Sequence, residues 1–281
     1  MAVTPIIETE GLTKLFGNHR GIEDVTIAVG AGEVFGFLGP NGAGKTTTIR
    51  TLLDLLHPSS GSARIFGLDS HRDSVAIRAR LGNLPGDFGY GRQASGREAL
   101  ALLAKLRGLS GIGRAEALAE RFRADLERPL GQLSRGNRQK VGLILALFHL
   151  PELLILDEPT SGLDPLMQEE FLALVEEERE RGCAVFLSSH ELDEVERVCD
   201  RVGIVRDGRL IAVERVSELL AKTQRRDRVE VEFEGPVELE DVRRLPGVVG
   251  AEFTHPTLEQ VFLTYYGEGE DEAATGTGEG Q

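Results

Sequence analysis

The eight residues Gly39-Pro40-Asn41-Gly42-Ala43-Gly44-Lys45-Thr46 constrain this chain more than any other feature, because they fit the spacing G-x-x-x-x-G-K-[ST]. Glycines at these intervals let backbone N–H groups turn inward on phosphate oxygens, and a following helix adds the positive end of its dipole. Such a turn belongs between a strand and a helix. Glu33 to Leu38 reads as a buried strand, and a helix is predicted from near Lys45 to just before the turn Pro58-Ser59-Ser60-Gly61. In that frame Gly39, Pro40, Asn41, Gly42, Ala43, Gly44 and Thr47 are candidates for the cradle. Lys45 suits the β- and γ-phosphates, and the Thr46 hydroxyl suits Mg²⁺.

Phosphate turns serve several chemistries, so the class must come from elsewhere in the chain. Leu153 to Glu158 is an apolar strand that ends in two carboxylates. Asp157 is placed to hold a Mg²⁺ shell, and Glu158, one residue on, to orient or deprotonate an attacking water. Around these motifs short apolar runs alternate with longer amphipathic ones, the pattern of an α/β protein. Strand character is absent from about Gly86 to Leu130, where Arg97–Gly108 and Gly113–Arg128 carry helical spacing of Leu and Ala. It returns at Leu153–Leu156 and at Ala184–Ser188, with a helix between them that Asp164 caps, Pro165 opens and Gly182 ends. A hairpin is predicted over Ile204–Ile211, turning at Asp207-Gly208.

Composition excludes other classes. The 281 residues are 41% hydrophobic and 28% charged, enough for one or two domains with a real core. A formal charge of −14 argues against general nucleic-acid binding, which needs clustered positive charge. Cys183 and Cys199 show no Cys-x-x-Cys spacing and read as reduced thiols. The stretch Val141–Leu156 is interrupted by His149, Pro151 and Glu152, too short a run to span a bilayer, and Met1–Glu10 lacks the basic start of a signal peptide.

Leu133-Ser134-Arg135-Gly136-Asn137-Arg138-Gln139 lies just ahead of a helix and before the Asp157 strand. Together with Ser161-Gly162-Leu163-Asp164 and His190, it resembles the ATP-binding cassette (ABC) ATPase family over roughly residues 5 to 222. The resemblance implies a phosphate-loop NTPase core of the RecA-like kind with an antiparallel β subdomain and a helical subdomain at about 86–140, within an ATPase domain of residues 1–224. It implies that Ser134 and Gly136 cap the γ-phosphate bound by a second copy, that Asp164 crosses the dimer interface, and that His190 touches the γ-phosphate. Phe16 would stack on adenine. The catalytic set is then Glu158, His190 and Lys45, with ATP and Mg²⁺ as cofactors and Thr46 and Asp157 as metal ligands.

Two motifs depart from the family pattern. Arg135 and Asn137 replace the third and fifth residues of L-S-G-G-Q, and Leu84-Pro85 is followed by Gly86 and Asp87 instead of Gln or Glu. Asp87 is the candidate replacement carboxylate, and Gly86→Gln is expected to be tolerated. The segment 225–266, with alternating Val229, Val231 and Phe233, a strand around Val248–Phe253 and a helix over Thr257–Tyr266, reads as a small α+β accessory unit. It is similar to the extension on ATPases of ABC-2 type exporters, and residues 267–281 read as an acidic disordered tail. The expected protein is thus a homodimeric ATPase subunit, cytoplasmic and peripheral on the inner face of the membrane, driving a separate permease. The alternative is a non-transport ABC ATPase acting on ribosomes or nucleic acid.

Overall fold

The computed structural model describes residues 5–17, 19–86, 93–223, 239–246 and 248. The elements run β1 (Ile7–Phe16), β2 (His19–Val29), β3 (Val34–Leu38), α1 (Lys45–Leu52), β4 (Ser60–Ile65), β5 (Leu68–Asp69), α2 (Ser74–Arg80) and β6 (Leu81–Leu84). After them come α3 (Gly96–Leu106), α4 (Gly113–Arg121), α5 (Arg135–Leu147), β7 (Leu153–Asp157), α6 (Pro165–Glu180), β8 (Ala184–Ser189) and α7 (Leu192–Val198). The last are β9 (Arg201–Arg206), β10 (Arg209–Arg215), α8 (Val216–Thr223) and α9 (Leu239–Arg243).

Strands β6, β7, β8, β3 and β9 lie parallel in that order, and β10 returns antiparallel to β9. Period-two alternation in these strands buries both faces. Val34, Leu154, Leu156, Val185 and Leu187 join one core with α3 to α7, while Phe35, Phe37, Leu153, Ile155 and Phe186 join another with α1 and the antiparallel strands β1, β2 and β4. The antiparallel layer meets the parallel one where Arg209 pairs with Glu23, a backbone register reinforced by a forked ion pair at 2.9 and 3.2 Å. Strands β1, β2, β4 and β5 are rich in polar residues and were not among the strands expected from the sequence.

The predicted hairpin forms between β9 and β10, with φ of +50° at Asp207 and +76° at Gly208. Asp164 caps α6 by accepting from the Met167 N–H at 3.0 Å. The helix predicted over Gly113–Arg128 is shorter, because Arg123 has φ +50° and Asp125 accepts from the N–H groups of Glu127 and Arg128. That side chain closes a turn in competition with the helix. Likewise α1 stops at Leu52, two residues before Asp54 turns left-handed at φ +57°. Both cysteines are free and buried, and burial pushes the Cys183 thiol up to about 12.

The chain divides into two compact units, Met1–Lys222 and Thr223–Gln281. The expected strand over 229–233, most of the strand at 248–253, the helix at 257–266 and the tail at 267–281 lie outside the described residues.

Candidate functional site

Strand β3 delivers the chain into the glycine turn, and α1 carries it away. Gly44 stands at the entry to α1 with φ +110°, a conformation that an L side chain resists, and a Cβ there would lie 2.9 Å from Ile22. No side chain caps α1, so the N–H groups of its first turn are available to an anion. Lys45, only 5% exposed, donates from Nζ to the Gly39 carbonyl at 2.6 Å.

The turn opens on a cleft of about 350 Å³ lined by Phe16, Gly21, Glu158 and most of the loop, including Lys45, Thr46 and Thr47. Ala43 is buried behind it, with its N–H turned to the Pro40 carbonyl, and Gly39 packs against the Val205 carbonyl. These two shape the loop. The Phe16 ring rests on Gly21, where a Cβ would come within 2.6 Å of the ring edge.

Asp157 ends β7 fully buried, and Ser188 on the neighbouring β8 donates its hydroxyl to Oδ1 at 2.6 Å. The next residue, Glu158, adopts φ +52°, an uncommon conformation for a non-glycine residue. Its N–H donates to the Ser188 carbonyl and hydroxyl at 3.2 and 3.1 Å, which stabilises the turn. The Glu158 carboxylate therefore projects into the cleft. Oε1 pairs with Lys45 Nζ at 3.0 Å, and Oε2 lies 2.6 Å from His190 Nδ1, just beyond β8. Three elements thus bring Lys45, Glu158 and His190 into one polar chain.

Ser134, Gly136 and Asp164 do not line this cleft. The segment that holds Ser134 and Gly136 packs instead on the Ser161–Gly162 turn that leads to Asp164. Ser134 caps α5 by accepting from the Asn137 N–H at 3.2 Å, and Arg135 donates to the Ser161 hydroxyl at 2.7 Å while its stem covers Gly162. Gly136 packs so close to the Gly162 carbonyl that a Cβ would approach it to 2.5 Å.

Four contributors were not singled out from the sequence in these roles. Ser188 braces both acids, and Gly21 seats Phe16. Gln139, buried on α5, donates its amide to the carbonyls of Glu158 and Pro159 at 3.0 and 2.8 Å, tying the helix behind Ser134 to the Glu158 turn. A polar residue on the buried face of a helix was the available signal. Glu194 is buried beside Ser189, the residue before His190; burial raises its carboxyl above the ordinary range, and the Ser189 hydroxyl donates to it at 3.2 Å. Gly86 differs from its sequence expectation. A Cβ there would lie 2.8 Å from Asp157 Oδ2, so Gly86→Gln must displace a buried carboxylate. Asp87 lies outside the described residues.

The family model described as "ABC transporter" matches residues 22–161. The chain is 39% identical over 212 residues to the bacitracin transport ATP-binding protein BcrA of Bacillus licheniformis, covering 74% of this chain and 69% of that protein. It is 36% identical over 222 residues to the daunorubicin/doxorubicin resistance ATP-binding protein DrrA of Streptomyces peucetius, covering 77% and 67%. A solved ATP-binding subunit of an ABC transporter matches with a TM-score of 0.72 at 31% identity, over 78% of this chain and 93% of that one. The dimeric post-hydrolysis cassette MJ0796, bound to ADP and Pi, shares the fold with a TM-score of 0.68 at 23% identity, over 75% and 98%.

Proposed function

The chain belongs to the ABC transporter family as an ATP-binding subunit, and from that premise we propose that its ATP hydrolysis powers a separate membrane permease that exports a drug- or antibiotic-like cargo. The observation that carries the reading is the Lys45–Glu158–His190 chain beside an uncapped helix N-terminus. Triphosphate oxygens take the N–H groups at the start of α1, and the Lys45 ammonium turns from the Gly39 carbonyl to the β- and γ-phosphates. That movement frees Glu158 Oε1. Glu158 then accepts a proton from water as the water oxygen bonds to the γ-phosphorus and the bond to the β-phosphate oxygen breaks, releasing ADP and phosphate. His190, at 2.6 Å from the other carboxylate oxygen, holds the base in place.

Thr46 and Asp157 offer a hydroxyl and a carboxylate, the hard oxygen donors that suit Mg²⁺, and Ser188 holds Asp157 in position. When bound there, Mg²⁺ supplies neutralisation of phosphate charge. Phe16, 45% exposed at the cleft rim, offers a face for the adenine ring. Ser134, Gly136 and Asp164 act on nucleotide held by a second copy; their absence from the cleft lining supports this head-to-tail arrangement.

Among the described residues no helix is long and apolar enough to cross a membrane. In this reading a separate permease supplies the membrane-spanning part, and the chain docks on it from the inner face. The export cargo is read from the bacitracin and daunorubicin names of the relatives. Affinity purification of the chain from a detergent extract of its own cells tests the reading. A polytopic membrane protein that copurifies and alters ATP turnover is the expected result; ribosomal proteins or DNA in its place overturn it.

A further inference from the structure

At the end of α1 away from the phosphate loop, three side chains with metal-ligating atoms converge. Asp54 sits in the left-handed turn that follows the helix, held by the N–H groups of Leu55 and Leu56 on the Arg50 carbonyl at 2.8 and 3.1 Å. His57 comes from the loop leading to β4, and His71 from the turn between β5 and α2, whose backbone Asp69 fixes by accepting from the His71 and Arg72 N–H groups. Both imidazoles address the same carboxylate oxygen. His71 Nδ1 lies 2.8 Å and His57 Nδ1 3.2 Å from Asp54 Oδ1, and the three ligand atoms lie within 4.8 Å of one another.

That triangle is close to what a metal requires. Tetrahedral zinc with bonds of about 2.0–2.1 Å holds its ligands roughly 3.3 Å apart, so small rotations of two surface imidazoles suffice. Arg78 approaches the other Asp54 oxygen, Oδ2, at 3.9 Å and leaves Oδ1 to the ion. The Asp54 side chain is 12% exposed, while His57 and His71 are 70% and 62% exposed, which leaves a fourth position open to water. Two nitrogens and one carboxylate select zinc-class transition ions over Mg²⁺ or Ca²⁺, which take oxygen shells.

We propose that Asp54, His57 and His71 form a three-ligand site for a divalent transition ion of the zinc class. Occupancy clamps the end of α1 to the β5–α2 turn, replacing the two imidazole contacts to Asp54 with metal bonds. This site is separate from the nucleotide cleft and does not depend on how ATP is hydrolysed.

Titrating Co²⁺ into the tag-free, nucleotide-free full chain reads the site directly. The expected result is one equivalent giving the intense visible bands of four-coordinate Co²⁺, displaced by Zn²⁺, with micromolar or tighter affinity and a Tm that rises with Zn²⁺. His57→Ala and His71→Ala should each weaken binding by at least about tenfold and remove the Tm rise, while metal-free Tm and ATP turnover stay as in the parent. Only the weak bands of octahedral Co²⁺, or an affinity the same in both histidine variants as in the parent, would overturn the proposal.

Discussion

On the phosphate-loop face, Lys45, Glu158 and His190 reach one another from three separate elements, whereas on the other face Ser134, Arg135 and Asp164 are turned onto their own helix ends and onto Ser161. The first face has a cleft and a strained carboxylate at φ +52° inside it. The second has rigid caps and no part in that cleft. Caps that do not line that cleft suit the proposed role of completing the site of a second copy, so the proposal divides the molecule into a reacting half and a capping half.

The two halves should fail differently when broken. The largest effect is expected at Glu158→Gln, which keeps the side-chain shape but removes the base. Turnover should drop about 10²–10⁴-fold with ATP affinity nearly unchanged, measured by phosphate release and by nucleotide titration. Lys45→Ala should lose affinity as well. Wild-type turnover in Glu158→Gln would remove that residue from the chemistry.

An intermediate effect is expected at Gly86→Gln, which pushes on Asp157 from 2.8 Å. Turnover should fall about 10- to 100-fold, because a displacement near 1 Å suffices for that, and the Mg²⁺ concentration for half-maximal rate should rise. Unchanged Mg²⁺ dependence would mean that Asp157 gives way freely.

The smallest effect is expected at Gln139→Leu, which breaks the hydrogen bonds from α5 to the carbonyls of Glu158 and Pro159. The Pro159 carbonyl loses the Gln139 amide and the Glu158 carbonyl is left with the Ser161 N–H at 3.2 Å, for about 1–3 kcal/mol of stability by denaturant unfolding. Because the turn that aims Glu158 loosens, kcat should fall several-fold more than KM moves, and Gln139→Asn, one methylene shorter, should not restore it. A stability loss with kcat intact would make Gln139 a fold residue only.

Legibility followed chemistry that is local in sequence. The phosphate loop, Asp157, Glu158 and the Asp207-Gly208 hairpin are each written in a few consecutive residues, and β3 and β7 are apolar because both faces are buried. The antiparallel strand β1 was opaque, since bulges between Thr9 and Leu15 break the alternation that would mark a half-buried strand. Contacts between distant residues were opaque for another reason. Nothing adjacent to Gly86 announces that its missing Cβ makes room for Asp157, seventy-one positions away by residue number. Ser188 and Gln139 look ordinary until β8 and α5 are laid beside Glu158.

The central claim is that one active site takes its phosphate loop from one copy and its capping loop from another. Lys45→Ala and Ser134→Arg proteins, each nearly inactive alone, are mixed, allowed to exchange subunits, and assayed for phosphate release, with exchange verified by crosslinking. Random mixing makes about half the dimers mixed, each with one site free of both lesions, so roughly a quarter of wild-type turnover should reappear if sites fire independently. Turnover that stays at the single-mutant level in verified mixed dimers, while a linked dimer carrying one lesion in only one half keeps about half of wild-type turnover and so shows that sites fire independently, would contradict the shared site.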